Sequence, residues 1–401
     1  MAPLPTELIA EILSNLPVKQ LLQFLIVSKS WYNLIKSPNF IKLHLNQTLI
    51  SDSHRHLILS YSSLSSSELH DRHFRFSEIN HPLKTHHHEN ERCRFREPFE
   101  SSGIRLLGSC NGVVCISDIG KNDVVLFNPS TRTYRKLPSS GDPDSNKFAV
   151  FGFGYDCSSD DYKVLKLIQC CGPNNEVYND AKVYSLRLNS WKRVNDFPYY
   201  LIYPDFHGAF VANSLHYIVS DVAYESRKKS IARFDLRTES YSILDCPEYD
   251  DDIRSWTFYL GNLGGCLCCA VNYDFHGRAD LWVMKEYGNK DSWIPAIQIN
   301  KEESSLIDFR PVGCSADKER ILVEVDNCEL HWYDMRSETA LRAGVDGLPK
   351  ENYDLEIFVE SLVMLGDDKV QPERGSPTRN HMKKKKTDLD DFLAVGFKLR
   401  L

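Results

Sequence analysis

No stretch of about 18 uncharged apolar residues occurs in the 401-residue sequence, so no segment is expected to cross a membrane as a helix. Met1 to Leu8 lack the basic start and apolar run of a secretory signal, and the expectation is a soluble chain of cytoplasm and nucleus. Basic charge is not in excess. The 48 Lys and Arg against 55 Asp and Glu give a net −7, which argues against a general nucleic-acid binder. No glycine-rich loop followed by lysine is present to cradle a phosphate, and Gly152-Phe-Gly154 stands in the wrong context for one. The twelve cysteines include one CxxC, Cys266 to Cys269, with no second to complete a zinc site. They read as buried thiols, Cys266 and Cys268 on one face of a strand and Cys269 on the other. His81 and His86 to His88 have no neighbouring cysteine and read as a solvated linker, so no metal and no cofactor are expected. Asp160-Asp161 and Asp250 to Asp252 lack a matched nucleophile or base and read as loop surface.

What is present begins with 42% hydrophobic residues, enough for a sizeable core. Within residues 4 to 45, Leu8, Ile9, Ile12, Leu13 and Leu16 recur at three- and four-residue spacing and predict one apolar helix face. Pro5 suits the first turn and Pro17 a stop. Leu21, Leu22, Phe24 and Leu25 suggest a second short helix. Ser28 is the expected N-cap of a third, which carries Trp31, Leu34 and Ile35 and ends near Pro38. Each fully buried Leu or Ile contributes only about 1.5–3 kcal/mol, and three short helices cannot cover all their apolar groups. A partner surface is implied.

From about residue 103 the helical period gives way to short β-branched and aromatic runs separated by Asn, Asp, Gly and Ser turns, the pattern of an all-β domain. Val124 to Tyr134, Ala181 to Trp191 and Ile231 to Tyr241 share one grammar of strand, polar turn, aromatic and strand. Looser copies start at Leu281 and Leu330. The five starts are spaced by 57, 50, 50 and 49 residues, the period of kelch-sized propeller blades. Strands before residue 103, joined with Leu355 to Leu365, are expected to complete a sixth blade, because propellers close by mixing strands from both ends.

Leu4-Pro5-Thr6-Glu7-Leu8, Glu11-Ile12-Leu13, Leu16-Pro17, Leu21-Leu22, Phe24, Val27-Ser28-Lys29-Ser30-Trp31, Leu34-Ile35, Pro38 and Phe40 resemble a complete plant F-box. Leu107 to Gly112, Phe127 to Thr131, Phe151 to Asp156, Ser159 to Val164, Leu263 to Leu267 and Val283 to Tyr287 resemble the plant F-box-associated domain, so the similarity covers nearly the whole chain. The resemblance implies a small all-α F-box followed by an all-β kelch-like propeller. It implies a Skp-family adaptor as partner and, through it, a cullin. The function implied is the substrate-recognition subunit of an SCF-type ubiquitin ligase, itself not an enzyme. Gln23, Leu25 and Ile26 depart from the basic and Cys residues of many plant F-boxes. Asp390 to Leu393 with Gly396 to Leu399 are similar to the end of defence-regulating members, which implies plant immune receptors as protein substrates. An adaptor-binding scaffold without degradation, and a kelch-like enzyme, stand as alternatives.

The residues expected to carry adaptor binding, directly or by shaping the unit, are Leu4, Pro5, Leu8, Ile12, Leu13, Leu16, Pro17, Leu21, Leu22, Val27 and Trp31. The domains expected are an F-box over 1–48, a linker with possible first-blade strands over 49–102, the propeller-like domain over 103–370 and a basic and apolar tail over 371–401. In that tail Lys383, Lys384, Lys385 and Lys386 read as a nuclear address, an anionic-surface contact or a solvated run.

Overall fold

The computed structural model describes residues 4–51, 54–62, 72–78, 92–94, 104–118, 123–141, 149–171, 177–202, 207–220, 229–249, 256–273, 276–300, 308–343, 353–366 and 369–370. The tail with Lys383 to Lys386, the histidines His81 and His86 to His88, and Asp250 to Asp252 lie outside the described residues.

Prolines punctuate the N-terminal helices, since a missing N–H costs nothing at a helix start. α1 (Thr6–Ser14) follows Pro5, whose carbonyl accepts the Ile9 N–H at 3.2 Å. α2 (Val18–Phe24) follows Pro17, whose carbonyl accepts from Gln20 and Leu21. α3 (Lys29–Ile35) is capped as its sequence predicts, with Ser28 Oγ accepting the Trp31 N–H at 3.2 Å. Pro38 does not merely end this run. It opens α4 (Pro38–Ser51), a 14-residue helix that the apolar spacing did not announce, with Ser37 Oγ accepting the Phe40 N–H at 3.2 Å.

The rest is β. β1 (Arg55–Ser62), β2 (Arg72–Glu78) and β3 (Arg92–Arg94) pair antiparallel in that order. The next meander is β4 (Ile104–Cys110), β5 (Val113–Asp118), β6 (Val124–Asn128) and β7 (Thr133–Lys136). It is followed by β8 (Ala149–Asp156), β9 (Asp161–Cys171), β10 (Val177–Ser185) and β11 (Ser190–Arg193). After the two-residue β12 (Tyr200–Leu201) come β13 (His207–Val211), β14 (Ser214–Ser220), β15 (Lys229–Asp235) and β16 (Ser240–Asp245). Then β17 (Trp256–Leu263), β18 (Cys266–Tyr273), β19 (Arg278–Met284) and β20 (Trp293–Asn300) form one sheet, and β21 (Phe309–Cys314), β22 (Arg320–Val325), β23 (Glu329–Asp334) and β24 (Thr339–Arg342) another. Last, β25 (Tyr353–Val359) returns to pair with β1, and β26 (Lys369–Val370) with β7. A parallel pairing of β8 with β13 merges two meanders into a nine-stranded sheet, so the described strands make five hydrogen-bonded sheets. The first strands of the meanders lie side by side in the order β25, β4, β8, β13, β17, β21 and back to β25.

The repeat seen in the sequence is the third and fourth strand of each meander. Asn128 faces Thr133, Ser185 faces Ser190, Asp235 faces Ser240 and Asp334 faces Thr339, each across a four-residue tip. The tip's last residue is left-handed: Arg132, Asn189, Glu239 and Glu338 have φ of 56°, 50°, 54° and 53°. Asn128, Asp235 and Asp334 each accept two tip N–H groups on one Oδ1, which explains the Asn or Asp at that point. The looser copy at Leu281 loosens here, because Met284 faces Trp293 across a longer turn with a 3₁₀ stretch at Lys290–Ser292. The reading of Asp160-Asp161 as loop surface holds for Asp160 alone. Asp161 is buried, with Ser185 Oγ donating to one oxygen and the Arg187 N–H donating to the other at 2.8 Å.

Candidate adaptor face and the junction behind it

The expected adaptor-binding residues divide by burial. Leu4, Leu8, Ile12 and Val27 are 61%, 46%, 58% and 59% exposed, and Ile26, which precedes Val27 in the chain, is 45% exposed. Pro5 is exposed as well, while Leu16, Pro17, Leu22 and Trp31 are half-buried. Leu13 and Leu21 are 2% and 0% exposed and pack with Val18, Leu25, Ile35 and Phe40, so they shape the unit without reaching its surface. Phe24 and Trp31 meet edge-on, ring centroids 5.3 Å apart, and fix the half-buried rim. These large aliphatic side chains stand in water on a small unit, as do Leu43, Leu49 and Ile50 of α4.

Behind this face lies a junction that local sequence patterns do not reveal. Leu362, which follows β25, sits inside the helical core beside Leu13 and Phe40. Glu360 Oε2 accepts the Val18 N–H at the start of α2 at 2.9 Å, and Glu360 Oε1 lies 3.2 Å from His56 Nε2. Burial alone would raise the Glu360 pKa, but His56 and the Val18 N–H outweigh it and hold the carboxyl below its ordinary value. His44 Nε2 lies 2.9 Å from the Leu16 carbonyl, which can only accept, so the imidazole donates there. Burial is the main force lowering the His44 pKa. On the other side of α4, Lys42 pairs with Asp160, and the Tyr155 hydroxyl donates to the same carboxylate. The hydrogen bond from Lys42, then that from Tyr155, lowers the Asp160 pKa. Ile41 and Leu45 pack into a propeller cluster with Leu107, Cys110 and Val363.

Residues 360 to 365 are themselves tied down. The Asn128 Nδ2 donates to the carbonyls of Ser361 at 3.1 Å and Val363 at 2.9 Å, Ser130 Oγ accepts the Ser361 N–H at 3.2 Å, and Arg135 donates to Leu365 O at 2.7 Å. Gly112, at φ +79°, leaves room for this segment: a Cβ there would stand 2.6 Å from the Ser361 Cβ. Gly112 and Asn128 belong to the very motifs that carry the sequence resemblance.

Among the described residues no group of three or more His, Cys, Asp or Glu could hold a metal ion, and no helix is long and apolar enough to cross a membrane. Cys268 is buried with Tyr259 and Cys314, with half-buried Cys266 packed against the same cluster, and Cys269 is buried on the other side with Phe258 and Met284. The alternation read from the sequence is the one found. Burial pushes the Cys268 and Cys269 thiols well above their ordinary pKa, which leaves them unreactive.

Comparison with known proteins adds two family matches. Residues 3–43 match the F-box domain, and residues 62–365 match the F-box associated beta propeller domain. The F-box protein CPR1 of Arabidopsis thaliana is 32% identical over 435 residues, covering 100% of both chains. The F-box protein At4g22390 of the same plant is also 32% identical with full coverage of both. The F-box/kelch-repeat protein At3g23880 of Arabidopsis thaliana is 29% identical over 78% of this chain and 83% of its own.

Proposed function

The chain belongs to the F-box proteins that carry an F-box associated β-propeller domain, and from that premise we propose that it is the substrate-recognition subunit of a Skp–cullin–F-box ubiquitin ligase. The observation that carries the reading is the exposed apolar face of Leu4, Leu8, Ile12, Ile26 and Val27 on a helical unit seated against a β domain. A Skp-family adaptor docks on that face and brings the cullin. The chain adds no catalytic group; it raises the local concentration of a substrate lysine near the charged conjugating enzyme.

Six blades are the reading that best fits the strands. The nine-stranded sheet divides at its one parallel pairing into two meanders, and the sheet shared by β25 and β1 to β3 supplies the blade drawn from both ends of the domain. The protein substrates we assign are plant immune receptors, on the resemblance of the chain's end to defence-regulating relatives, and the location we assign is cytoplasm and nucleus. Replacing Leu16 and Pro17 together by Ala tests the adaptor reading. Pull-down of a Skp adaptor and cullin should be abolished while the β domain melts as before, and undiminished pull-down defeats the proposal. Half-life measurement of candidate receptors with and without the chain separates a degrading receptor from a scaffold.

A further inference from the structure

The helical unit is made first and finished last. Its core includes Leu362, 6% exposed, and the first N–H of α2 is satisfied by Glu360, although Leu362 stands 311 positions after the end of α4. Both side chains belong to the six residues that follow β25. Those residues are placed from the propeller side: the Glu360 N–H donates to His54 O at 3.0 Å, Asn128 grips the carbonyls of Ser361 and Val363, and β25 is held along β1. A chain that has not inserted β25 therefore lacks a wall of the F-box core and leaves an α2 N–H without its acceptor.

We infer that residues 360 to 365 are a strap that couples completion of the F-box to insertion of the last propeller strand, so that a chain becomes fit to bind the adaptor only once its substrate-binding domain is whole. At synthesis rates of about 5–20 residues per second, α1 to α3 wait roughly 15 to 60 s for the strap. During that wait an incomplete receptor is kept out of the ligase. The inference rests on the adaptor-binding reading for its biological consequence, but the strap itself is a statement about the fold.

The test uses the full-length chain, with hydrogen exchange by mass spectrometry and adaptor affinity measured side by side. Leu362→Ala opens a cavity in the F-box core. Amides of α1 to α3 should then exchange at least about 30-fold faster while those of β5, β14 and β18 keep their rates, and adaptor affinity should fall in step. Leu362→Met conserves volume and should keep both readouts within about tenfold of the parent. Unchanged exchange in α1 to α3 with Leu362→Ala overturns the strap. Should that variant fail to fold, the parent chain decides: amides of α2 and of residues 360 to 365 open together in low denaturant if the strap is right, and independent opening of α2 overturns it. A parent chain that never binds the adaptor refutes the functional reading instead, and leaves the exchange arms to judge the strap alone.

Discussion

Truncating Ile12 to Ala separates a face that waits for a partner from a face already in use. Ile12 is 58% exposed, so docking an adaptor removes at most that share of its surface from water. Full burial of such a side chain contributes about 1.5–3 kcal/mol, and the exposed share contributes about 1–2 kcal/mol to binding. The dissociation constant should rise about 5- to 30-fold, with a melting temperature close to the parent's. Leu13, one residue on and 2% exposed, should behave in the opposite way: Leu13→Ala costs about 2–5 kcal/mol of F-box stability through the cavity it leaves. Calorimetric titration of each purified variant with a Skp adaptor, beside its thermal unfolding, gives both quantities. An Ile12→Ala chain that binds as tightly as the parent, or that loses as much stability as Leu13→Ala, would refute the division of this helix into docking and core faces.

Three further outcomes are expected. Lys163, buried between β9 and the tip after β15, lies 3.2 Å from Asp156 and donates to Leu236 O at 2.6 Å; Lys163→Met strands these acceptors and should lower stability by about 3 kcal/mol in urea unfolding, and a loss under about 1 kcal/mol would count against a paired buried lysine. Burial lowers the pKa of His216 from 6.5 to about 4, so between these values the unfolded chain takes up a proton that the folded chain refuses. Stability should therefore fall as pH drops from about 6.5 towards 4, by up to about 3 kcal/mol from this group, and an unchanged pH slope in His216→Gln would show the assignment to be wrong. Changing Lys383 to Lys386 together to Ala should reduce the nuclear fraction of a fluorescent fusion without moving the melting temperature; an unaltered distribution removes the nuclear-address reading.

Much of the fold was legible because it is local. Ser28 caps α3 from three residues away, and the Asn or Asp of each hairpin tip bonds to N–H groups two and three residues on, so both leave a mark within a short window. Pro38 is ambiguous because proline both ends one helix and opens another, and the apolar spacing carries no sign of α4. The candidate face was half legible. Ile12 and Leu13 are equally apolar and lie on one periodic run, and the tertiary cluster of Val18, Leu21, Leu25, Ile35, Phe40 and Leu362 decides which of the two is covered. Glu360 and Leu362 had no local signal at all, since their partners in α1 and α2 stand more than 300 residues away.

The pairing of β25 with β1 also sets how the molecule answers to force. Arg55 stands opposite Val359 and Tyr61 opposite Tyr353, so the chain enters and leaves this ladder at the same edge. A pull on the two ends of the chain reaches Arg55 and Val359 together and loads one residue pair at a time, whereas a pull from opposite edges would load all seven pairs in parallel. Once β26 and the strap are drawn off, the ladder opens like a zip from that edge, and tension of the kind an unfoldase applies at a terminus meets this seam one residue pair at a time.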